Sequence, residues 1–503
     1  MDANEFREFG KAAVDFVADY LENIRDKDVL PSVHPGYLHK FLPEVIPEEP
    51  EDWREVMQDM QKFILPGITH WQSPNFHAYF PTASSYPSIV GELLCSGFGV
   101  VGFNWICSPA CTELEVIVMD WVGKLLGLPE EFLNCHDGPG GGVIQGSASE
   151  SIMIAVLAAR EQMVRRYHEN EPEVSESEIR GRLVAYTSDQ SNSAVEKSGI
   201  LSAMPMRLLA SDSKCALRGD TLRQAIEEDL ALRKIPTVCI ATLGTTGTCA
   251  FDDIEEIGKV CQEYNVWLHI DAAYAGAAFC CPEYRHLMKG VEMAESFNFN
   301  VHKWMMVNFD CCAMWLKNAD LLVQAFNVDR IYLQHRFQGQ SKAPDYRHWQ
   351  IPLGRRFRAL KLWITLRTVG AEGIREHIRH QIHLAQHFQS LVSSDDRFEV
   401  IGEATMGLVC FRLRGECGSS RKLLDRITER KRIFMIHGTI HGKIVIRFAV
   451  CGRDPQVTDI DFAWQEVQSS LKDINYIPPE TSDKICERFS KEITLIESEE
   501  RLQ

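Results

Sequence analysis

Apolar positions divide the chain into three regions. Phe6, Phe9, Ala13, Phe16, Val17 and Tyr20 recur at helical spacing with charges between them, which predicts an opening amphipathic helix. Pro31, Pro35, Pro43, Pro47 and Pro50 follow, and a segment so interrupted cannot close a core alone. It needs another surface, such as a partner subunit. From about 86 to 380, helical stretches alternate with short apolar runs. Helices are predicted over Ser147–His168, Thr221–Arg233 and Asp252–Tyr264, and strands over Arg182–Thr187, Pro236–Gly244 and Val266–Ile270. Val-, Ile- and Leu-rich strands separated by helices predict an α/β fold, with a large, mainly parallel sheet covered on both faces. From about 391 the pattern changes: Phe398–Leu413 and Arg432–Val450 read as strands and Val457–Leu471 as a helix, a small α+β domain. The expected divisions are an arm at 1–85, a large domain at 86–380, a small domain at 381–475 and a charged tail at 476–503.

Composition narrows the function. The 503 residues carry 53 Lys and Arg against 70 Asp and Glu, a net charge of −17, so nucleic acid and anionic membranes are poor partners. The opening MDANEFREFG has neither a basic start nor an apolar stretch, so a cytoplasmic protein is expected. There are 16 scattered cysteines, including the adjacent pairs Cys280-Cys281 and Cys311-Cys312. No Cys-x2-Cys couple points to metal, and a chain of this length does not need disulfides, so reduced and mostly buried thiols are expected. The uncharged stretch Leu93–Thr112 contains Ser96, Asn104, Ser108 and Pro109. It reads as a buried segment or subunit interface rather than a membrane span.

Three segments carry chemistry. Gly138-Pro-Gly-Gly-Gly142, followed by Gly146-Ser-Ala-Ser149 and a helix, offers backbone N–H groups and a positive helix end to a phosphate. An apolar strand brings Asp271 to its C-terminal end in His269-Ile-Asp-Ala-Ala-Tyr-Ala-Gly276. Lys303 lies in apolar Asn298-Phe-Asn-Val-His-Lys-Trp304, at the end of a short predicted strand, where desolvation frees an amine for Schiff-base chemistry. Singly, these read as a turn, a helix cap and a surface lysine. In this order on one α/β sheet they match what pyridoxal 5'-phosphate requires: a phosphate cradle, a carboxylate for the ring nitrogen and an imine-forming lysine. Thr246, in Leu243-Gly-Thr-Thr-Gly247, ends another strand within reach of the cofactor.

With these motifs the chain resembles the aromatic L-amino acid decarboxylases, group II pyridoxal-phosphate enzymes of fold type I, over about residues 1 to 475. The resemblance rests on Phe76-His-Ala-Tyr-Phe-Pro-Thr82, Trp105-Ile-Cys-Ser-Pro-Ala-Cys-Thr112, His269–Tyr274, Asn300-Val-His-Lys-Trp304 and Pro352-Leu-Gly-Arg-Arg356. It implies a homodimer whose N-terminal arm packs on the other subunit. It implies Lys303 as Schiff-base lysine, Asp271 as ring-nitrogen partner, Ala148, Ser149 and Asn300 as phosphate ligands, and Thr246 and Ala273 as further cofactor contacts. It places His302 beside the lysine. Trp71, Tyr79, Phe80, Pro81, Thr82 and Phe103 would shape an aromatic slot, with Gly354 from the partner subunit, where histidine-specific relatives tend to carry Ser. That slot favours a catechol or phenol, with L-dopa preferred. Residues 326–349 read as a loop that closes over the site, bringing Tyr332 to protonate the carbon that loses CO2.

One position departs from the decarboxylase pattern. In Thr187-Ser-Asp-Gln-Ser-Asn-Ser-Ala-Val-Glu196, Asn192 stands where decarboxylases carry a histidine stacked on the cofactor. An amide is no general acid near neutral pH. If protonation is slow, the electron-rich carbon reacts with O2 as co-substrate, and a shift of about 1.4 kcal/mol changes the branching tenfold. Asn here resembles the insect aromatic acetaldehyde synthases. It implies oxidative decarboxylation-deamination of L-dopa to 3,4-dihydroxyphenylacetaldehyde, CO2, NH3 and H2O2. Two alternatives stay open: an ordinary decarboxylase making dopamine, and a non-catalytic binding scaffold.

Overall fold

Eight consecutive residues, Ile235–Thr242, are all buried, which an isolated helix or edge strand would not permit. They form a central strand of a seven-stranded sheet in a computed structural model that describes residues 1–338, 344–402, 404–415, 418–450, 452–474 and 476. The chain divides into two compact units, one of Thr82–His383 and the other of Met1–Pro81 with the described residues of Leu384–Gln503.

The larger unit holds β1 (Gly141–Gln145), β2 (Leu183–Ser188), β3 (Met206–Leu209), β4 (Ile235–Thr242), β5 (Trp267–Asp271), β6 (Ser296–Asn300) and β7 (Cys312–Leu316), in the order β1-β7-β6-β5-β4-β2-β3. The run β6-β5-β4-β2-β3 is parallel, and β7 runs against both β6 and β1. Two reversals restore direction, so β1 points the same way as β6. Cys312 faces both Gln145 and Asn300, which brings the ends of β1 and β6 to one edge. That edge is where open α/β sheets bind ligands.

The connecting helices follow from their caps and apolar faces. Ser147 accepts the Glu150 N–H at 3.2 Å and starts the helix Ala148–Asn170, which buries Ile152, Ala155, Val156 and Ala159. Each buried Ile or Val side chain is worth about 1.5–3 kcal/mol. Asp253 caps Ile254–Tyr264, which ends on Asn265 at φ 55°. The predicted start at Asp252 is too early, because Asp252 accepts the N–H groups of Leu217 and Thr242 instead, both at 2.7 Å.

Leu93–Thr112 is not one buried segment. It covers the end of the helix Tyr86–Phe98, a bend, and the start of Pro109–Leu126. Leu93 is 54% exposed, Phe98 61%, Val101 53% and Ile106 52%, so these four apolar side chains lie on the surface of the single chain, while Cys95 and Cys111 are buried.

The smaller unit contains β8 (Phe398–Val400), β9 (Leu408–Leu413), β10 (Ile436–Ile440) and β11 (Lys443–Ala449), antiparallel in the order β10-β11-β9-β8. The helices Ser419–Arg430 and Val457–Asp473 add Leu423, Ile427, Ile460 and Val467 to its core. The opening helix, Ala3–Glu22, buries none of its residues, and Phe6 is 59% exposed. Residues after it are tied to the C-terminal segment. Arg25 pairs with Asp459 at 3.1 Å, Leu30 N donates to Lys431 O, and His77 lies between Phe434 and Ala449.

Eleven of the thirteen described cysteines are buried and no disulfide joins any two of the thirteen; Cys107 and Cys135 are exposed, and Cys417, Cys451 and Cys486 lie outside the described residues. Among the described residues no helix is long and apolar enough to cross a membrane, and no cluster of His, Cys, Asp and Glu could hold a metal ion.

Candidate active site

The C-terminal ends of β1, β2, β4, β5 and β6 carry the residues singled out above. Strand β5 ends on Asp271, which is 2% exposed. Its Oδ1 accepts the Ala273 N–H at 3.0 Å and the Asn298 Nδ2–H at 3.3 Å. Burial pushes the carboxyl up, and the charge of Lys303 pulls it back down. Lys303 does not end a strand. β6 stops at Asn300, and Val301–Trp304 forms one helical turn that carries Lys303 past the sheet edge. Tyr274 stacks on Trp304 at 4.6 Å, and Trp304 donates its indole N–H to Gln381 at 2.7 Å, which fixes the turn.

His302, 3% exposed, sits against Cys311, whose N–H reaches Nδ1 at 2.9 Å. Burial, with the Lys303 charge beside it, pushes the imidazole down to about 4, so the ring is neutral near pH 7.

At the end of β1, Asn300 Oδ1 accepts the Ala148 N–H at 3.1 Å, and Ser149 is exposed in the first helical turn. The run Gly138–Gly142 lies at the opposite end of β1 and is not a phosphate cradle. A Cβ on Gly140 would stand 1.8 Å from Glu131 O, and one on Gly142 would stand 2.7 Å from the Trp315 indole nitrogen. These glycines permit close packing. The turn Gly146–Ser149 alone occupies the site edge.

Asn192 follows β2 and caps the helix Ser193–Leu201, its Oδ1 accepting the Ala194 N–H at 3.0 Å. Its Nδ2 donates to Thr246 Oγ1 at 2.9 Å. β2 and β4 are neighbours, which brings the two turns together. The Thr246 turn is closed by N–H bonds from Gly244 and Thr245 to Ala250 O, and Gly244 sits at φ 86° against the Ala275 Cβ, a place only glycine fits.

The substrate-side residues are distributed differently. Thr82 and Phe103 are half-buried in the larger unit, and Phe103 O accepts the Arg347 N–H at 3.0 Å. Trp71, Tyr79, Phe80 and Pro81 belong to the smaller unit. There Trp71 stacks on Tyr79 at 5.7 Å, and the Arg447 guanidinium lies over Phe80. Tyr332 is 76% exposed in the short turn Ile331–Leu333, and residues 339–343 of its loop, including Lys342, lie outside the described residues. Gly354 is exposed, in a segment held by Gln350 and by the buried Arg355–Glu115 ion pair.

A buried carboxylate opposed by a lysine charge, a capped helix N-terminus and a threonine turn, all on one sheet edge, fit pyridoxal phosphate. Residues 35–414 match the pyridoxal-dependent decarboxylase conserved domain, and the chain belongs to that family of pyridoxal-phosphate enzymes of fold type I. It is 66% identical to a 3,4-dihydroxyphenylacetaldehyde synthase of Aedes aegypti, covering 93% of this chain and 90% of that one. It is 62% identical to the Drosophila melanogaster protein of the same name, covering 94% and 93%. Among solved structures, the Oryza sativa TDC with PLP and tryptamine is similar with a TM-score of 0.91 and 33% identity, covering 95% of this chain and 99% of that one.

Residues without a role in the sequence reading also reach this site. Asn298 and His269 lie behind Asp271. The signal for Asn298 was the alternation Ser296-Phe-Asn-Phe-Asn300, polar on one face of a strand buried on both.

Proposed function

We propose that the protein converts L-dopa, O2 and water to 3,4-dihydroxyphenylacetaldehyde, CO2, NH3 and H2O2. The observation that carries this reading is Asn192, an amide held at the cofactor edge by Thr246 where a decarboxylase would have an imidazole. The names of the two insect relatives support it.

Bound pyridoxal phosphate supplies an imine link to the substrate amine and a conjugated ring that draws electrons from Cα. Lys303 would hold the cofactor through that imine link. Ionised Asp271 would keep a proton on the ring nitrogen. Ala148, Ser149 and Asn300 would hold the phosphate, and Thr246 and Ala273 would contact the ring. Neutral His302, its Nδ1 occupied by the Cys311 N–H, packs beside Lys303 without adding charge. Thr82 and Phe103 contact the substrate ring, and Tyr332 is the phenol that can bring a proton to Cα.

Asn192 holds no proton it can release near neutral pH. With protonation slowed, O2 takes two electrons and two protons and leaves as H2O2. Water supplies the aldehyde oxygen as NH3 departs. The protein acts as a homodimer, with Leu93, Phe98, Val101 and Ile106 covered by the second subunit and Gly354 reaching its site; exposed apolar side chains in such number support an interface.

Incubation with L-dopa in air, measuring aldehyde and H2O2 against dopamine, tests the reading. Aldehyde with equimolar peroxide is expected, and stoichiometric dopamine without peroxide overturns it.

A further inference from the structure

Side chains alternate along a strand, so Trp267, His269 and Asp271 share one face of β5, and Ser296 and Asn298 share that face of β6. The parallel register pairs His269 with Ser296 and Asp271 with Asn298. None of the five is more than 3% exposed, so their polar atoms must satisfy one another. The Trp267 indole donates to Ser296 Oγ at 2.9 Å, and Ser296 Oγ meets His269 Nδ1 at 2.7 Å. His269 Nε2 meets Asn298 Oδ1 at 2.8 Å, and Asn298 Nδ2 donates to Asp271 Oδ1 at 3.3 Å.

The direction of every bond follows. An indole N–H only donates, so Ser296 Oγ accepts it and gives its own proton to His269 Nδ1. At the other end a carboxylate only accepts, so the Asn298 amide turns its N–H to Asp271 and its oxygen to His269. That oxygen needs the proton on Nε2. Nδ1 is then bare, as the serine hydroxyl requires. The two ends therefore select the same neutral tautomer, and burial independently holds the imidazole at about 4.

We propose that Trp267, Ser296, His269 and Asn298 form a one-way hydrogen-bond chain that keeps Asp271 ionised and oriented, making His269 and Asn298 positioning residues for the cofactor's ring nitrogen. The inference rests on the reading of Asp271 as the ring-nitrogen partner. Donors converging on one carboxylate oxygen favour its charged form against the cost of burial.

The test compares cofactor affinity and the visible absorption of the bound cofactor in full-length variants, with thermal melts to verify folding. Asp271→Asn is the reference: it weakens cofactor binding and alters the band, and if it does neither, the site reading and this inference fall together. His269→Phe and Asn298→Leu reproduce that spectral change and weaken binding at least about tenfold, as loss of a hydrogen bond to a charged group predicts. His269→Gln, which can still accept from Ser296 and donate to Asn298, restores most of the affinity. A folded His269→Phe with unchanged affinity and absorption, beside an affected Asp271→Asn, overturns the chain alone. Should His269→Phe not fold, Ser296→Ala decides: about threefold weaker binding upholds the proposal, and unchanged binding overturns it.

Discussion

Asn192 and Thr246 are joined by a 2.9 Å hydrogen bond between turns that lie 54 positions apart, and the same Asn192 side chain starts a helix. Its amide therefore has two positioning duties, and neither involves a proton it could give up. Replacing Asn192 by His introduces a titratable group there. The amine-to-aldehyde ratio from L-dopa is expected to rise at least about tenfold, a change of about 1.4 kcal/mol in relative barriers. Product analysis with peroxide assay checks it. Asn192→Ala should keep making aldehyde, with stability lower by about 1 kcal/mol through the lost cap.

In the proposed mechanism Lys303 is the group on which cofactor attachment depends. Lys303→Ala should show no borohydride-fixed cofactor by mass spectrometry and only background turnover, while melting like the wild type because the position is a half-buried surface of one helical turn. Retained covalent cofactor would move the attachment elsewhere.

The glycines at the start of β1 should behave as packing residues. Gly140→Ala forces a Cβ onto the Glu131 carbonyl, and overpacking of this kind costs about 1–3 kcal/mol. A lower melting temperature is expected, with cofactor affinity of the folded fraction unchanged. A selective loss of affinity would restore these glycines to the phosphate site.

The apolar surface around Phe98 is expected to close on a second copy. Phe98→Glu and Leu93→Asp together should shift the protein from dimer to monomer in sedimentation experiments, since burying two unpaired charges is far costlier than leaving them in water. An unaltered dimer would place the interface on another face.

Acid should weaken the fold. Burial holds His77, His269, His302 and His377 each at about 4, below the usual histidine value of 6.5. The unfolded chain binds more protons between those values, so this stability is present above pH 6.5 and lost as pH falls toward 4. Each histidine accounts for on the order of 3 kcal/mol. Burial raises Asp252 to about 7, and that contribution runs the other way, lost as pH rises from the ordinary carboxylate range to 7. Asp271, also raised by burial, runs the same way as Asp252, and four histidines against these two carboxyls leave a net fall. Melting temperature should drop between pH 7 and 5, and the drop should shrink in His77→Gln, which keeps the donor to Ala449 O without the charge.

The sheet was legible because buried parallel strands read as apolar runs, and its chemistry was legible because Asp271 and Lys303 follow such runs. Lys303 was assigned to a strand end since Val301–Trp304 is as apolar as the strand before it, and only backbone geometry separates the two. The glycines misled because a phosphate and a neighbouring indole both demand the absence of a Cβ. The Asn192–Thr246 contact was not legible, because strand order β4-β2 is a tertiary fact. For Leu93 to Ile106, apolar character alone does not tell a core from a surface that a second chain would cover.

The antiparallel strand β7 has a further consequence. Ala148 and Asn300 meet across 152 positions, and β7, which aligns their strands, is made last. During synthesis the first strand of the sheet must wait for the seventh before it has any neighbour. With the phosphate held by Ala148, Ser149 and Asn300 as proposed, the cofactor would bridge the seam that closes last, and ligand bound only to the closed form would stabilise it by mass action. Cofactor supply would then help determine how much of the newly made chain reaches the closed form.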